Sequence, residues 1–259
     1  MTDGALTIKL GGTAGGHAAS LRVLVQRAEP GWVVVHGGGG EVGEWSQRLG
    51  TEPQTVDGLR VTDPATLEIA VAVLRGLINA RLVAAFVAAA APAIGLAGPD
   101  GDLLRAERFD QRLGEVGRVT RVNESLLAAL TATWIPIVAP IARGTGSELL
   151  NVNADEVAGV IAAARGGRLL LLTDVPGVIR EEAHATALST DDAEAMLADG
   201  SAADGMQPIL RAAITAAHAG CAVAIVDGTN PNAVRAAIDG LMTGTTVTAA
   251  SAARIGSHG

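Results

Sequence analysis

One lysine of this chain stands where a phosphate group could be held. Lys9 lies near the end of a short apolar run, residues 5–10, and Gly11 and Gly12 follow it closely. The chain has 19 basic residues, and all of them except Lys9 are arginine. An ammonium group is a compact point charge that fits between phosphoryl oxygens, whereas a guanidinium group is a broad planar fork. The position therefore predicts a phosphate contact at the end of a buried strand; a chance lysine at a strand edge is the alternative.

A second glycine turn follows the second apolar run of the chain. Residues 32–36 lead into four glycines at 37–40, and a helix-length segment separates the two runs. This pattern predicts a βαβ unit whose parallel strands end at one edge of a sheet, where ligands of open α/β sheets bind. A helix starting near Glu41 would turn its free N–H groups toward an anion. Neither GxxxxGK[ST] nor GxGxxG occurs, so the run indicates either an anion site or only a turn.

Polar residues after other predicted elements could complete a site. Asp57-Gly58 predicts a β-hairpin. Arg60, just beyond it, is either a solvated hairpin residue or, if it lies over the glycine run, a clamp for a substrate carboxylate. Asn151, Asn153 and Asp155 precede or begin a predicted helix at 155–164, and capping of that helix explains one of the three but not all.

A later strand predicts a nucleotide loop. Residues 168–173 are strongly apolar and are followed by Asp174-Val175-Pro176-Gly177-Val178-Ile179, which is the kind of strand-to-loop exit that holds a nucleotide. The composition changes at 164–167, which is our predicted boundary between two lobes. No fixed-period repeat and no low-complexity linker is present.

Composition limits the fold and the partners. Hydrophobic residues make up 49% of the 259 residues and aromatic residues 2%, without tyrosine, so the core must be aliphatic, as in alternating helices and strands. A net charge of −8 argues against a nucleic-acid partner. The single cysteine, Cys221, excludes an internal disulfide and a cysteine metal cluster, and with the absence of a signal peptide it predicts a cytoplasmic protein. Residues 82–98 are predicted to be a buried helix end and a strand rather than a membrane span.

The remaining elements follow from apolar periodicity and caps. A helix is predicted with Thr62 or Asp63 as its N-cap and Pro64 at its first helical position, and it is predicted to run to about residue 90. Further predicted elements are short strands within 93–121, helices at 124–130, 190–198, 206–219 and 231–239, and strands at 134–139 and 222–226.

Five segments together resemble the acetylglutamate kinases of the amino-acid kinase superfamily. The segments are Ile8-Lys9-Leu10-Gly11-Gly12, Val35-His36-Gly37-Gly38-Gly39, Gly58-Leu59-Arg60-Val61-Thr62, Asn151-Val152-Asn153-Ala154-Asp155 and Leu172-Thr173-Asp174-Val175-Pro176-Gly177-Val178. Their order and spacing extend the resemblance over nearly the whole chain. The resemblance implies a three-layer αβα sandwich with a largely parallel central sheet, the carbamate kinase-like fold. It places the acyl acceptor in an N-terminal lobe, residues 1–166, and the nucleotide in a C-terminal lobe, residues 167–259, on one continuous sheet.

The resemblance also implies a reaction. The γ-phosphoryl group of ATP, with Mg²⁺, would pass to the side-chain carboxylate of N-acetyl-L-glutamate and give an acyl phosphate for arginine biosynthesis. A carboxylate is already ionised at pH 7, so no general base is needed, and catalysis must come from positioning and positive charge. The resemblance further suggests a homodimer, and the short stretch before Lys9 predicts little inhibition by arginine.

Residue roles carry over from the same segments. Lys9 would neutralise the moving phosphoryl group, Asp155 would orient the cationic groups, and Gly38, Gly39, Arg60 and Asn151 would bind the acceptor. The nucleotide would be bordered by Gly11, Gly12, Asp174, Val175, Pro176, Gly177, Val178, Ile179, Ser201, Ala202 and Ala203. His36 is interpreted as a packed strand-end residue rather than a catalyst.

One position departs from the family pattern. Ile209 stands where the pattern has a second phosphate-neutralising lysine, and losing such a contact typically costs about 10²–10³ in rate. Arg211 is the substitute that we place among the catalytic residues, although it is turned about 200° around an ideal helix from Ile209; Arg180 and a neighbouring subunit are other sources. The departure leaves two alternatives open: a weakly active or inactive ligand-binding regulator, and a kinase for a carrier-linked aminoadipate or glutamate, which the acidic net charge disfavours.

Overall fold

The computed structural model describes residues 4–11, 18–51, 55–56, 59–180, 182–203, 205–241 and 243–250, with the backbone alone at 55–56 and 59–60. The strands are β1 (Leu6–Leu10), β2 (Trp32–His36), β3 (Thr55–Val56), β4 (Leu59–Arg60), β5 (Ala93–Leu96), β6 (Leu104–Arg108), β7 (Val116–Val122), β8 (Ile135–Val138), β9 (Ile141–Arg143), β10 (Leu149–Val152), β11 (Arg168–Thr173), β12 (Ile179–Arg180), β13 (Ala183–His184), β14 (Ala187–Ser189), β15 (Ala222–Asp227) and β16 (Thr245–Thr248). The helices are α1 (Ala18–Arg27), α2 (Gly39–Arg48), α3 (Pro64–Val71), a π-helical segment (Ala72–Ile78), α4 (Asn79–Ala88), α5 (Glu124–Thr131), α6 (Ala154–Arg165), α7 (Thr190–Ala198), α8 (Met206–His218) and α9 (Pro231–Ile238).

The central sheet has eight strands in the order β14-β16-β15-β11-β1-β2-β8-β5. Its strands pair in parallel except for β15 with β16. In the centre, Leu10 is level with His36 of β2 and with Leu172 of β11. The carboxyl ends of these three strands therefore meet at one edge, as the parallel pattern predicts.

Two apolar cores lie on the two faces of this sheet, because successive side chains of a strand point to opposite faces. Leu6 and Ile8 belong to one core, with helices α1, α3, α4 and α9. Val33 and Val35 belong to the other, with helices α5, α6, α7 and α8. The predicted three-layer sandwich with a largely parallel sheet is confirmed.

Most predicted elements are confirmed, with shifts at their ends. Helix α2 begins at Gly39 rather than near Glu41, because Gly38, with φ of 154°, serves as its N-cap. Strands β3 and β4 pair antiparallel as the predicted hairpin requires, while Asp57 and Gly58 lie outside the described residues.

The structure shows arrangements of strands and helices that the sequence pattern did not predict. Strands β6, β7, β9 and β10 close into a small barrel beside the main sheet, and β14 and β16 extend the sheet at one side. The helix from Pro64 to Ala88 contains the π-helical segment in its middle. Among the described residues it is the one helix long and apolar enough to cross a membrane by length and composition, but it contributes Ile78, Leu82 and Phe86 to the core.

Helices α6 and α8 cross closely on one face. A Cβ atom at Gly159 would lie 2.9 Å from Cα of Ala212, so the absence of a side chain at Gly159 permits the approach. Both helices end just before neighbouring parallel strands, β11 and β15, and so run in the same direction. One turn before the crossing, toward the helix starts, lie Asp155 on α6 and Ile209 on α8.

Candidate active site

Lys9 and Asp155 form a buried ion pair. Lys9 Nζ lies 2.9 Å from Asp155 Oδ1, and the two side chains are 10% and 11% exposed. This oxygen accepts no well-directed hydrogen bond among the described residues, so the contact is an ion pair whose two groups meet off the usual hydrogen-bond direction. Lys9 comes from β1 and Asp155 from the first turn of α6. The structure therefore brings together two of the predicted catalytic residues.

The three polar residues around the start of α6 have three different partners. Asn153 is the N-cap, and its Oδ1 accepts hydrogen bonds from the N–H groups of Asp155 and Glu156, at 2.8 and 3.2 Å. Asn151 Nδ2 donates to Thr62 Oγ1 at 3.2 Å. Capping therefore accounts for Asn153 alone, while Asp155 pairs with Lys9 and Asn151 with Thr62.

The first glycine turn is tight against β11. The N–H of Gly11 donates to the carbonyl of Leu172 at 3.0 Å. A Cβ at Gly11 would lie 2.5 Å from that carbonyl oxygen and 3.1 Å from Lys9 Nζ. Only glycine fits here, and the lysine side chain lies over its backbone; Gly12 is outside the described residues.

The second glycine turn begins α2. The N–H of Gly37 donates to the carbonyl of Leu10 at 3.0 Å, which joins the two turns. A Cβ at Gly38 would overlap the side chains of Ile78 and Leu74, whereas one at Gly39 would meet nothing within 4 Å. The space beside Gly39, where a side chain would stand, is therefore open.

Arg60 and Asn151 are two of the residues predicted to bind the acceptor. Arg60 pairs with Thr55 across the hairpin, and its side chain is outside what the structure describes. Thr62, two residues on, is buried, donates its N–H to Leu113, and accepts from the N–H of Glu115. The strand that leaves the hairpin is therefore attached to the small barrel.

The predicted nucleotide loop leaves the carboxyl end of β11. Asp174 and Val175 are exposed, and Val178 is fully buried. The N–H of Val178 donates to Thr245 Oγ1 at 2.9 Å, and that hydroxyl donates to the carbonyl of Ala185. Thr245 thereby joins the carboxyl end of the loop to Ala185, which follows β13, a role that sequence reasoning missed because Thr245 is 67 positions from Val178.

Other predicted nucleotide contacts lie before α8 or within the same loop. Pro176 and Ile179 are exposed and Gly177 is buried. Ser201 donates its N–H to Asp199 Oδ1 at 2.8 Å. Ala202 is buried, and the carbonyl of Ala203 accepts the first N–H bonds of α8.

The position of the missing lysine is apolar and closed. Ile209 is 6% exposed and packs in the core that α6 and α8 share. Arg211 is exposed on α8, and Arg180 Nη1 lies 2.9 Å from Asp192 Oδ1. The described contacts bring neither arginine to the Lys9 and Asp155 pair, so their substitute role stays a prediction.

A contact between His36 and Asn79 behind the second glycine turn was not predicted from the sequence. His36 is 1% exposed, and its ring nitrogens lie 2.9 Å from the carbonyl oxygen of Gly37 and 3.1 Å from Asn79 Nδ2. Burial is the main cause that lowers the pKa of His36 to about 4. The interpretation of His36 as a packed strand-end residue is compatible with this burial, but Asn79 had no signal in the sequence.

A small cavity lies beneath the two turns. It has a volume of about 40 Å³ and is lined mainly by aliphatic side chains of α1 and α4, with Gly11, His36 and Gly37. Ser20 also lines it, and its hydroxyl has no hydrogen-bond partner among the described residues. The described residues contain no group of three or more His, Cys, Asp or Glu side chains that could hold a metal ion.

Known protein families match this chain over most of its length. Residues 6–227 match the model of the amino acid kinase family. The acetylglutamate kinase of Methylobacterium nodulans is 41% identical over 252 residues, which cover 88% of this chain and 83% of that protein. The acetylglutamate kinase of Methanopyrus kandleri is 44% identical over 207 residues, which cover 75% of this chain and 84% of that protein.

Solved structures share the fold. The smu.665 protein of Streptococcus mutans superposes with a TM-score of 0.79 at 24% identity, covering 94% of this chain and 98% of that one. A carbamate kinase from Giardia lamblia bound to AMP-PNP superposes with a TM-score of 0.66 at 17% identity, covering 96% and 99%. At these identities the likeness shows the fold alone, and it confirms the predicted carbamate kinase-like architecture.

Proposed function

Because this chain belongs to the amino acid kinase family, we propose that it phosphorylates the side-chain carboxylate of N-acetyl-L-glutamate with ATP. Relatives that carry the name acetylglutamate kinase support this acceptor at about 40% identity over most of both chains. The single structural observation that carries the proposal is the pairing of Lys9 with Asp155 at the edge where both glycine turns meet. The product is an acyl phosphate, which fits arginine biosynthesis.

The reaction brings two anions together, so the site must attract negative charge. The acceptor carboxylate is ionised at neutral pH and attacks without a general base. Lys9 supplies a positive charge that Asp155 orients, and the N-terminal end of α2 supplies partial positive charge through the helix dipole. Because the pair of Lys9 and Asp155 has no net charge, it contributes mainly by orienting the Lys9 ammonium group toward the phosphoryl group. It contributes less by attracting the substrates from a distance.

The two substrates enter from opposite sides of β1. The β2 side carries Gly38, Gly39, Arg60 and Asn151, which we assign to N-acetylglutamate. Arg60 pairs with its α-carboxylate, the two glycines donate backbone N–H groups to its oxygens, and Asn151 contacts the acylated part. The assignment is supported by the hydrogen bond from Asn151 to Thr62, which follows the hairpin strand of Arg60.

ATP lies on the β11 side. We assign its binding to Gly11, Gly12, the loop from Asp174 to Ile179, and Ser201 to Ala203. The assignment is supported by the exposure of both ends of the loop and by the hydrogen bonds that the Thr245 hydroxyl makes with Val178 and Ala185. Mg²⁺ fits as an ion held mainly by the ATP phosphates, because Mg²⁺ keeps several waters and needs few protein carboxylates, and because Asp155 is already paired with Lys9.

The replacement of the family lysine by Ile209 affects the rate of phosphoryl transfer and not the type of reaction. The relatives favour a catalyst over a ligand-binding regulator. We propose that the chain works as a kinase with a second cation supplied by Arg211, Arg180 or another subunit.

The proposal also covers the oligomeric state, the division into lobes and the cellular compartment of the protein. We propose a cytoplasmic homodimer with an acceptor lobe at 1–166 and a nucleotide lobe at 167–259. Only 39% of the most apolar window of the helix Pro64–Ala88 is buried within the chain, and the remaining apolar surface favours a partner subunit.

The test is ATP-dependent acyl-phosphate formation trapped with hydroxylamine. The purified chain with N-acetyl-L-glutamate should give hydroxamate, and Lys9→Ala should lower the rate by about 10²-fold or more. Arg235→Ala, an exposed position on α9, is the matched control and should leave the rate unchanged. No hydroxamate above the Lys9→Ala background would reject the proposal.

A further inference from the structure

We propose that His36 and Asn79 are positioning residues that fix the direction of the peptide between Gly37 and Gly38, so that the Gly38 N–H faces the acceptor. The inference rests on the proposed role of Gly38 and Gly39 in acceptor binding. It adds two residues, both away from the substrates, to the set on which the reaction depends.

The proton positions follow from the partners of His36. A carbonyl oxygen only accepts hydrogen bonds, so the ring Nδ1 must carry the proton that goes to Gly37 at 2.9 Å. The neutral ring then leaves Nε2 to accept from Asn79 Nδ2 at 3.1 Å. The ring is therefore a single tautomer with both nitrogens engaged.

This bond sets the orientation of one peptide unit. In a trans peptide the C=O and the following N–H point in opposite directions. Because the Gly37 carbonyl is turned inward to a ring that is 1% exposed, the Gly38 N–H is turned outward, to the sheet edge. A flip of this peptide would place a carbonyl oxygen where an anionic acceptor needs a donor.

Asn79 is held from several sides. Its Nδ2 also donates to the carbonyl of Ile137 at 2.8 Å, and its Oδ1 accepts from Arg75 Nη1 at 3.3 Å. A Cβ at Gly95 would overlap this amide oxygen. The amide is fully buried, so it has little freedom to release His36.

The π-helical segment links this support to the glycine turn itself. Leu74 and Ile78, which fill the space where a Cβ of Gly38 would stand, belong to this segment, and Asn79 follows it directly. Single π turns are rare within α-helices, but those that occur are often found at functional sites. One stretch of helix thus packs against Gly38 and also holds the ring that orients the preceding carbonyl.

Loss of the hydrogen bonds of His36 and Asn79 should weaken acceptor binding rather than ATP binding. A misplaced binding group can cost about 10²-fold in rate. The ATP side is anchored separately, by Thr245. Acceptor and nucleotide kinetics should therefore separate in variants of His36 and Asn79.

The experiment compares steady-state kinetics of His36→Leu, Asn79→Leu and the double variant with the parent chain. We expect KM for N-acetylglutamate to rise by about tenfold or more, with KM for ATP within about twofold. The double variant should lose no more than the worse single variant, because the two residues act as one unit. His36→Gln keeps an amide donor and should recover part of the loss.

Thr131→Val is the control, since Thr131 also donates a buried hydroxyl bond, to Leu127 at 2.8 Å, but on α5. It should change stability alone. Should a leucine variant fail to fold, calorimetric binding of N-acetylglutamate to folded His36→Gln replaces it, and affinity unchanged from the parent overturns the inference. Folded variants with unchanged acceptor kinetics, or with equal losses for both substrates, also overturn it. An inactive parent chain would instead reject the proposed function.

Discussion

Lys9 Nζ and Asp155 Oδ1 lie 2.9 Å apart with both side chains about nine-tenths buried. One residue belongs to the central strand of the sheet and the other to the first turn of the helix above it. The pair therefore ties the sheet to α6 at the same point where we place the transferred phosphoryl group.

Breaking this pair should destabilise the fold as well as stop the reaction. In Lys9→Met, Asp155 keeps a buried charge without a partner, which should lower the free energy of unfolding by about 3 kcal/mol or more. Asp155→Leu should do the same through Lys9. In the double variant both charges are gone, so its loss should be much smaller than the sum of the two. Urea denaturation of the four proteins measures this, and additive single losses would contradict a coupled pair.

Ile209→Lys tests whether the site lacks a cation. A lysine at this position lies one turn from the α6 and α8 crossing, at the level of Asp155. We expect kcat to rise by about tenfold or more, with a stability loss of about 1–3 kcal/mol for the polar group in the core. Ile209→Met, which has similar reach and no charge, should change kcat little. Equal kcat in the two variants would indicate that another cation already acts, and Arg211→Ala and Arg180→Ala would then locate it.

His36 should make stability fall in mild acid. Its pKa is lowered to about 4 in the folded chain, mainly by burial and further by the charge of Arg75, against an opposing contribution from its bond to Gly37. Between about pH 4 and 6.5, His36 is protonated in the unfolded chain and neutral in the folded chain. Its contribution to the free energy of unfolding is therefore complete above about pH 6.5 and is lost as the pH falls toward 4. The total loss is about 3 kcal/mol. Urea midpoints from pH 7 to 5 should fall more steeply for the parent chain than for His36→Gln. Parallel profiles would rule this out.

Ser20→Ala should stabilise the chain. Its hydroxyl is buried without a hydrogen-bond partner among the described residues, and removing such a group should raise the free energy of unfolding by about 1 kcal/mol. Ser46→Ala is the matched change, because the buried Ser46 hydroxyl donates to the carbonyl of Val42 at 2.9 Å, and it should lower stability. A loss of stability in Ser20→Ala would mean that the hydroxyl has a partner in the cavity.

The sequence was most informative where the chain is locally regular. The apolar runs that became β1, β2 and β11 were predicted because a strand buried on both faces has a continuous apolar pattern. The start of α3 at Pro64 was predicted because a cap and a proline act within one turn; Asp63 Oδ1 accepts from the N–H of Thr66 at 2.7 Å.

The sequence failed where a role depends on distant packing. The barrel of β6, β7, β9 and β10 depends on strand pairs that local periodicity does not contain. Asn79 stands in an apolar helix with no cap or turn signal, and its meaning comes from His36, 43 positions away. Lys9 and Asp155 were each singled out, but only the fold joins residues 146 positions apart.

The position of β1 between β2 and β11 limits how an enzyme of this fold can change its acceptor during evolution. Neighbouring strands are about 4.8 Å apart, so the ends of β2 and β11 are separated by about 10 Å. In the proposed arrangement this distance separates the phosphoryl donor from the acceptor, and it is set by main-chain hydrogen bonds that no side-chain substitution removes. The rim of the site can thus change to admit another carboxylate while the path of the phosphoryl group keeps its length.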